Sequence, residues 1–236
     1  MKLRIMTFNI RGCKNYITNK KDINSIVKII KKYNPDIIGL NEVFSGIIFN
    51  NSQSKKIAKK LGYYSYFGKS TRVLFRKYGN SIISKYPILN NEVILIPDPI
   101  NKKGSSLYET RSILKSMIEI DNKKLNIYIT HLGLNIDEQE NGFKLLNNIE
   151  SNNSIIMGDL NIEPDDTLLN ELNDKFISSD NYLSDLRCSY PSKKPINKLD
   201  YIFVSKDIKI TYSNIMEDIA SDHLPYVIDI EIKNEE

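Results

Sequence analysis

The chain has 236 residues, 41% of them hydrophobic, with 33 basic against 29 acidic side chains and a net charge of +4. That length and apolar share suit one packed domain spanning residues 1–236 and exclude a disordered chain. No apolar run approaches the roughly 20 residues of a membrane span, and the N-terminus, "MKLRIM", runs into strand-like sequence without the apolar segment of a secretory leader. The expectation is therefore a cytoplasmic protein without a membrane span. Two cysteines, Cys13 and Cys188, lie far apart in no ligand spacing, which argues against structural zinc and against a disulfide framework. The small basic excess points only weakly to a polyanionic partner, because a solvated lysine surface accounts for it equally well. No segment speaks to an oligomeric state.

In chain order, Leu3 to Arg11 reads as a strand. Asp22 reads as an N-cap, followed by Ile23, Ile26, Val27 and Ile30 at helical spacing, and Asn34-Pro35 stops that helix. Asp36 to Leu40 is a short apolar strand ending at Asn41-Glu42. Gln53 to Leu61 is a helix closed by Gly62. Strand-like runs follow at 81–84, 93–96, 112–120 and 125–131, with Asp121-Asn122-Lys123 as a hairpin turn between the last two. A helix is predicted over Asp137 to Ile149, a strand over Ser154 to Asp159, and a short helix capped by Asp165 or Asp166. Runs at 200–204 and 225–232 close the chain. Asp185 reads as a cap or turn residue. Tyr63, Tyr64 and Tyr66 could stack on bases, but alternating aromatics more often mark a strand. Strands joined here by helices and there by hairpins predict an α+β fold with mixed sheets. Both halves open with a strand, a helix and a strand, a faint repeat.

Several strands end in groups that a core does not need. Asn9 closes the first, Glu42 follows the second, and Thr130-His131 closes another. "GDLN" places Asp159 and Asn161 after an apolar run; Asp200 opens one; Asp222-His223 stands just before the last. In open sheets ligands bind at strand ends. If these ends converge they form a pit rimmed by acids, whose mutual repulsion a bound cation would relieve. Carboxylates from Glu42, Asp159 and Asp222, with neutral oxygens from Asn9 and Asn161, suit Mg²⁺ or Mn²⁺ and not zinc. Mg²⁺ in turn favours phosphate oxygens. His223 could pair with Asp200, while His131 and Arg111 are natural donors to a phosphate. Each residue has a plainer reading too: a turn-forming Asp, a structural His, an Arg111 that merely pairs with Glu109. The weight lies in their coincidence, since both histidines of the chain fall at these tips.

Eight stretches in order, "MTFNIR", "LNEVF", "GNSIISKYPI", "ETRSIL", "THLGL", "GDLN", "LDYIFVS" and "SDHLP", give the chain a resemblance to the endonuclease/exonuclease/phosphatase superfamily, the deoxyribonuclease-I-like fold. The resemblance implies a four-layer α/β/β/α sandwich with the site at one end. It places the family's metal ligand on Glu42 and its phosphate- and metal-contacting asparagine on Asn9. The "GD-x-N" pair falls on Asp159 and Asn161, the metal-side aspartate and catalytic histidine on Asp222 and His223, and the histidine's partner on Asp200. A phosphate-binding histidine and arginine fall on His131 and Arg111. One departure is Asn41, where the family usually has Gln; loop bonding is the expected consequence.

The implied activity is Mg²⁺-dependent hydrolysis of a phosphate ester, with Mn²⁺ as a substitute. Asp159 or His223 would act as base. The missing Trp and the histidine at 131 count against the apurinic-endonuclease branch, and the acidic stretch 162–166 counts against inositol phosphatases. The absence of a leader and of an identifiable exposed aromatic hairpin counts against a secreted sphingomyelinase. Nucleic acid comes first by elimination and by the basic balance. The alternatives are a phospholipid head group, a sugar or inositol phosphate, and a non-catalytic binding module of the same fold.

Overall fold

The computed structural model describes residues 1–46, 51–183 and 187–232; Asp185 lies outside the described residues. Its strands are β1 Lys2–Asn9, β2 Ile37–Ser45, β3 Tyr64–Val73, β4 Arg76–Ser84, β5 Ile88–Leu95, β6 Ser112–Ile120, β7 Lys123–His131, β8 Ser154–Asp159, β9 Phe176–Ser178, β10 Asp200–Ser205, β11 Ile208–Ile215 and β12 Tyr226–Ile232. The helices are α1 Ile23–Tyr33, α2 Gln53–Leu61, α3 Ile136–Leu146 and α4 Asn170–Lys175. One six-stranded sheet runs β11-β12-β1-β2-β4-β3 and the other β5-β6-β7-β8-β10-β9.

Each helix forms where the sequence provides an end and a face. Asp22 accepts from the Ser25 amide to cap α1, and Asn34 closes it in the left-handed region. Ser52 caps α2 through the Lys55 amide, and Gly62 (φ 74°) closes it. Asp166, not Asp165, caps the single turn before α4 through the Leu168 amide. The buried faces divide into three apolar clusters. Ile5, Ile82, Leu114, Ile129, Met157 and Ile228 belong to the one between the sheets. Ile26, Ile30 and Ile57 of α1 and α2 pack with Phe8 and Ile38 on the outer face of the first sheet. Phe143 and Leu146 of α3 pack with Tyr128, Ile156 and Phe203 on the outer face of the second. The result is the expected α/β/β/α layering.

The faint repeat is a topological one. β1 and β2 pair in parallel around α1, and β7 and β8 pair in parallel around α3. The flanking strands follow suit: β12 and β6 pair antiparallel to the first of each pair, β4 and β10 to the second. Two copies of one pattern thus pack face to face, and both parallel pairs end at the same edge of the sandwich.

Several elements differ from the sequence reading. β2 does not stop at Glu42. A register shift between Leu40 and Val43, with Glu42 at φ 57°, carries it on to Ser45. The strands β9 and β11 were not anticipated, and of β3 only the opening was, from the alternating tyrosines at 64 and 66. β11 hides because a bulge between Ile210 and Tyr212 breaks its alternation, and β3 because it is an edge strand with a polar outer face. α3 ends at Leu146, three residues short of Ile149, where the chain tightens into turns at Asn148 and Ile149. The hairpin between β6 and β7 turns on Asp121 and Asn122, both at positive φ. Tyr64 and Tyr66 open β3 at the edge far from the ends of β1 and β2, which removes them from any pit there.

The fold also carries a hairpin that sequence reading did not find. β3 and β4 turn on Leu74 and Phe75, 87% and 81% exposed, at φ 46° and 66°. Among the described residues no helix is long and apolar enough to cross a membrane.

Candidate active site

Strand register alone assembles half of the site. In the second sheet His131 pairs with Asp159 across the parallel β7–β8 ladder, and Asp159 pairs with Asp200 across β8–β10. His131, Asp159 and Asp200 therefore form one row over three neighbouring strands. In the first sheet Asn9 pairs with Asn41 at the matching ends of β1 and β2, with Glu42 next in the bulge. Packing the sheets brings the two rows together.

Asp159 is the hub. It is buried, and its Oδ2 faces Asn9 Nδ2 at 3.0 Å, His223 Nε2 at 3.5 Å and His131 Nε2 at 3.6 Å; its Oδ1 accepts from the Asn161 amide at 3.1 Å. Burial pushes its carboxyl up, the His223 charge opposes this, and the result lies at about 6. The strand reaches this geometry through Gly158, whose φ of 144° and contact with the Thr130 carbonyl leave no room for a side chain: a Cβ there would stand 1.8 Å from that oxygen.

His223 Nδ1 donates to Asp200 Oδ2 at 2.8 Å, and the Tyr190 ring lies 4.8 Å from the imidazole. Burial alone would lower its pKa, but the charges of Asp200 and Asp159 outweigh that and push it up to about 10. His223 is thus an imidazolium with Nε2–H turned to Asp159. His131 is the opposite case. Burial and the Arg111 charge hold it well below its usual value. A guanidinium can only donate, so at 3.1 Å from Arg111 Nη1 the His131 Nδ1 is the acceptor and its proton sits on Nε2. Arg111 is buried, pairs with Glu109 at 3.1 Å as the plainer reading had it, and still keeps its Nε without a partner.

The other expected residues take positions that differ in detail. Asn9 gives its nitrogen to Glu42 Oε1 (3.1 Å) and Asp159, while its oxygen accepts from the Arg11 amide (3.1 Å). In this orientation its nitrogen positions two acids, and its oxygen, with one lone pair used by the Arg11 amide, keeps a second for a cation. Asp222 reaches the Arg11 Nε at 3.1 Å through Oδ2 and accepts from the Ser221 hydroxyl through Oδ1. Asn161, at φ 53°, gives its side-chain nitrogen to the Leu132 carbonyl at 2.9 Å.

The donor set fits a hard divalent cation. Glu42 is half-buried with Asn9 as its donor, and burial, reinforced by the charge of Asp222, raises its carboxyl. A cation would reverse that penalty. Asp159, Asp200 and His223 also bring ligand atoms within 4.8 Å of one another. With His223 protonated, the imidazolium bonds to Asp200 and forms an ion pair with Asp159, so its nitrogens are not open to an ion.

Four supporting residues have roles that sequence reading did not assign. Asn41, fully buried, does far more than bond a loop: its nitrogen donates to Asn80 Oδ1 (2.9 Å) and the Thr130 carbonyl (2.8 Å), and its oxygen accepts from the Asp159 amide (3.1 Å). Asn80 continues to the Ser112 carbonyl at 2.9 Å. These two amides staple one sheet to the other directly beneath the acids. Arg11 neutralises Asp222. Lys198 has no exposed surface; it donates to the Asp200 carbonyl and to Asp180 Oδ1 (3.1 Å), 3.9 Å from the Tyr201 ring centre. A polar residue inside an apolar strand was the available signal for Asn41 and Asn80. Nothing local marks Lys198 as buried.

These features, two packed mixed sheets with a buried acid–histidine pit at one end, define a class of metal-using phosphoric ester hydrolases. The family model for the Endonuclease/Exonuclease/phosphatase family matches residues 6–223, and the chain belongs to that family. Among solved structures it is similar to an endonuclease/exonuclease/phosphatase from Beutenbergia cavernae, at 20% identity and TM-score 0.82, covering 98% of this chain and 72% of that one. It is similar to a mannosyl-6-phosphatase from Bacteroides thetaiotaomicron, at 13% identity and TM-score 0.77, covering 98% and 100%. TDP2 of D. rerio, complexed with a single-strand DNA product, matches at 17% identity and TM-score 0.71, covering 98% and 99%.

Proposed function

We propose that the whole chain is one catalytic domain that hydrolyses a phosphodiester with Mg²⁺ as its working cation. The observation that carries this reading is the single oxygen of Asp159 facing Asn9, His131 and His223, with Glu42 on the same amide. Glu42 would hold the cation, with Asp222 as the second carboxylate once Arg11 yields. A cation bound there supplies Lewis-acid polarisation of a non-bridging oxygen and offsets charge on the leaving oxygen.

The chain's own groups supply the rest. Asp159, with a pKa near working pH, takes the proton of the attacking water. His223, kept protonated by Asp200, donates to the phosphoryl oxygens through Nε2–H. His131 Nε2–H and Arg111 face the same charge as it builds in the transition state. The relative with bound DNA product and the basic balance favour nucleic acid. The exposed apolar tip of the β3–β4 hairpin, Leu74 and Phe75, favours the alternative, a phospholipid head group.

Hydrolysis of bis-p-nitrophenyl phosphate tests the reading. Wild-type turnover should need added Mg²⁺ or Mn²⁺ and stop with chelator, and His223→Ala should fold normally and nearly abolish it. A wild-type rate from purified His223→Ala would refute the assignment.

A further inference from the structure

Apolar side chains stand exposed around the pit's edge of the sandwich, and none of the described residues covers them. Among the described residues fourteen large hydrophobics are exposed, and nine of them stand on the loops and strand ends at the pit's edge of the sandwich. Ile17 lies on the loop after β1, Leu74 and Phe75 on the β3–β4 tip, Ile100 and Leu107 between β5 and β6, and Leu134 after β7. Four of the five exposed elsewhere are tyrosines, which carry a polar end. Single exposed leucines need no explanation; a concentration around one functional opening does.

The hairpin tip sharpens the point. A two-residue turn with both residues at positive φ favours Asn-Gly, because a bulky side chain is strained there. This turn has Leu74 and Phe75 in both places, so it accepts backbone strain and apolar exposure together. Neither helps folding. The tip projects about 13 Å past Gly79, four ladder steps from the bulge that holds Glu42. Its flanks are basic, with Arg72 and Arg76 beside the tip and Lys77 one residue further along β4. Lys102 and Lys103 follow Ile100, and Lys20 and Lys21 follow Ile17. Apolar tips set in cations on several separate loops match a bilayer surface bearing anionic lipid. The loop after β8 carries exposed Asp165 and no exposed large apolar residue, and would stay off that surface.

We propose that this rim docks the protein on an anionic lipid bilayer and that the ester delivered to the pit is a phospholipid head group. The proposal rests on the phosphodiesterase reading of the pit and adds the substrate class. A nucleic acid would engage the cations, but an apolar ring spread over four loops gives it little to bind.

Three measurements on the full chain test it. Co-sedimentation with phosphatidylcholine vesicles, with and without phosphatidylglycerol, should show binding that requires the anionic lipid. Release of water-soluble phosphate esters from those vesicles should accompany it. The variant L74N/F75G suits the turn, so it should melt no lower than wild type and cleave bis-p-nitrophenyl phosphate at the wild-type rate. Its vesicle binding should weaken roughly tenfold or more, since two apolar side chains no longer leave water. A second variant, I100S/L107S on a different loop, should weaken it likewise. Vesicle binding equal to wild type in both variants, or no binding by wild type, would overturn the proposal. So would a loss in L74N/F75G that falls on a DNA or RNA oligonucleotide instead of on vesicles. If wild type fails on bis-p-nitrophenyl phosphate with either metal, the catalytic reading has failed; if it succeeds there but ignores vesicles, only the lipid proposal has.

Discussion

At the scale of single residues, two histidines of one pit sit in opposite charge states, and the cause is their neighbours. Both are buried: at His223 the carboxylates of Asp200 and Asp159 outweigh burial and keep it protonated, while at His131 burial and then the Arg111 guanidinium outweigh Asp159 and keep it neutral. The base must be ionised and the acid protonated. Activity on a generic diester should therefore rise with pH through about 6 as Asp159 ionises and fall near about 10 as His223 loses its proton. A pH–kcat profile checks both limbs. His131→Ala removes one neutral donor to the developing charge, and kcat should fall about 10²–10³-fold with the fold retained, as steady-state kinetics would show. Most of these residues were legible beforehand because each is a polar group placed where an apolar strand stops. Their charge states were not, since a pKa depends on partners brought from other strands.

Elements carry the next layer. Gly158 lets β8 press against the Thr130 carbonyl beneath the acids, so Gly158→Ala forces backbone apart as well as straining φ. It should cost about 3 kcal/mol in urea denaturation. The cap of α1 gives a test that stays clear of the pit. Hydrogen bonds from the Ser25 hydroxyl and amide hold the Asp22 carboxyl below its usual range. A group lowered in the folded state stabilises above its unfolded value and loses that contribution as pH falls through the folded one. Asp22→Ala should thus cost about 1 kcal/mol at neutral pH, and the gap from wild type should close below about pH 4. Helix ends were readable because capping is local chemistry. Most of β3 and all of β11 were not, because an edge strand has one buried face and a bulge resets its period.

For the whole molecule, the decisive feature is the seam between the sheets. Asn41 and Asn80 bond across it, tying the β2 end to the Asp159 amide and the Thr130 carbonyl. Asn41→Ala would leave several buried polar groups without partners, at about 1–3 kcal/mol each. Both the denaturation midpoint and kcat should fall, whereas a loss confined to one sheet would move stability alone. Sequence by itself determined the α+β class, the helix caps, and the set of acids, amides and histidines that gather at the pit, because apolar periodicity and capping act over a few neighbouring residues. Only tertiary structure decided that Asn9 holds acids with its nitrogen, that Asp222 leans on Arg11, and that apolar side chains from distant loops ring one opening. Those outcomes depend on packing between elements far apart in the chain, such as Asn9 and Asp159 at a separation of 150 residues, and no local pattern encodes that distance.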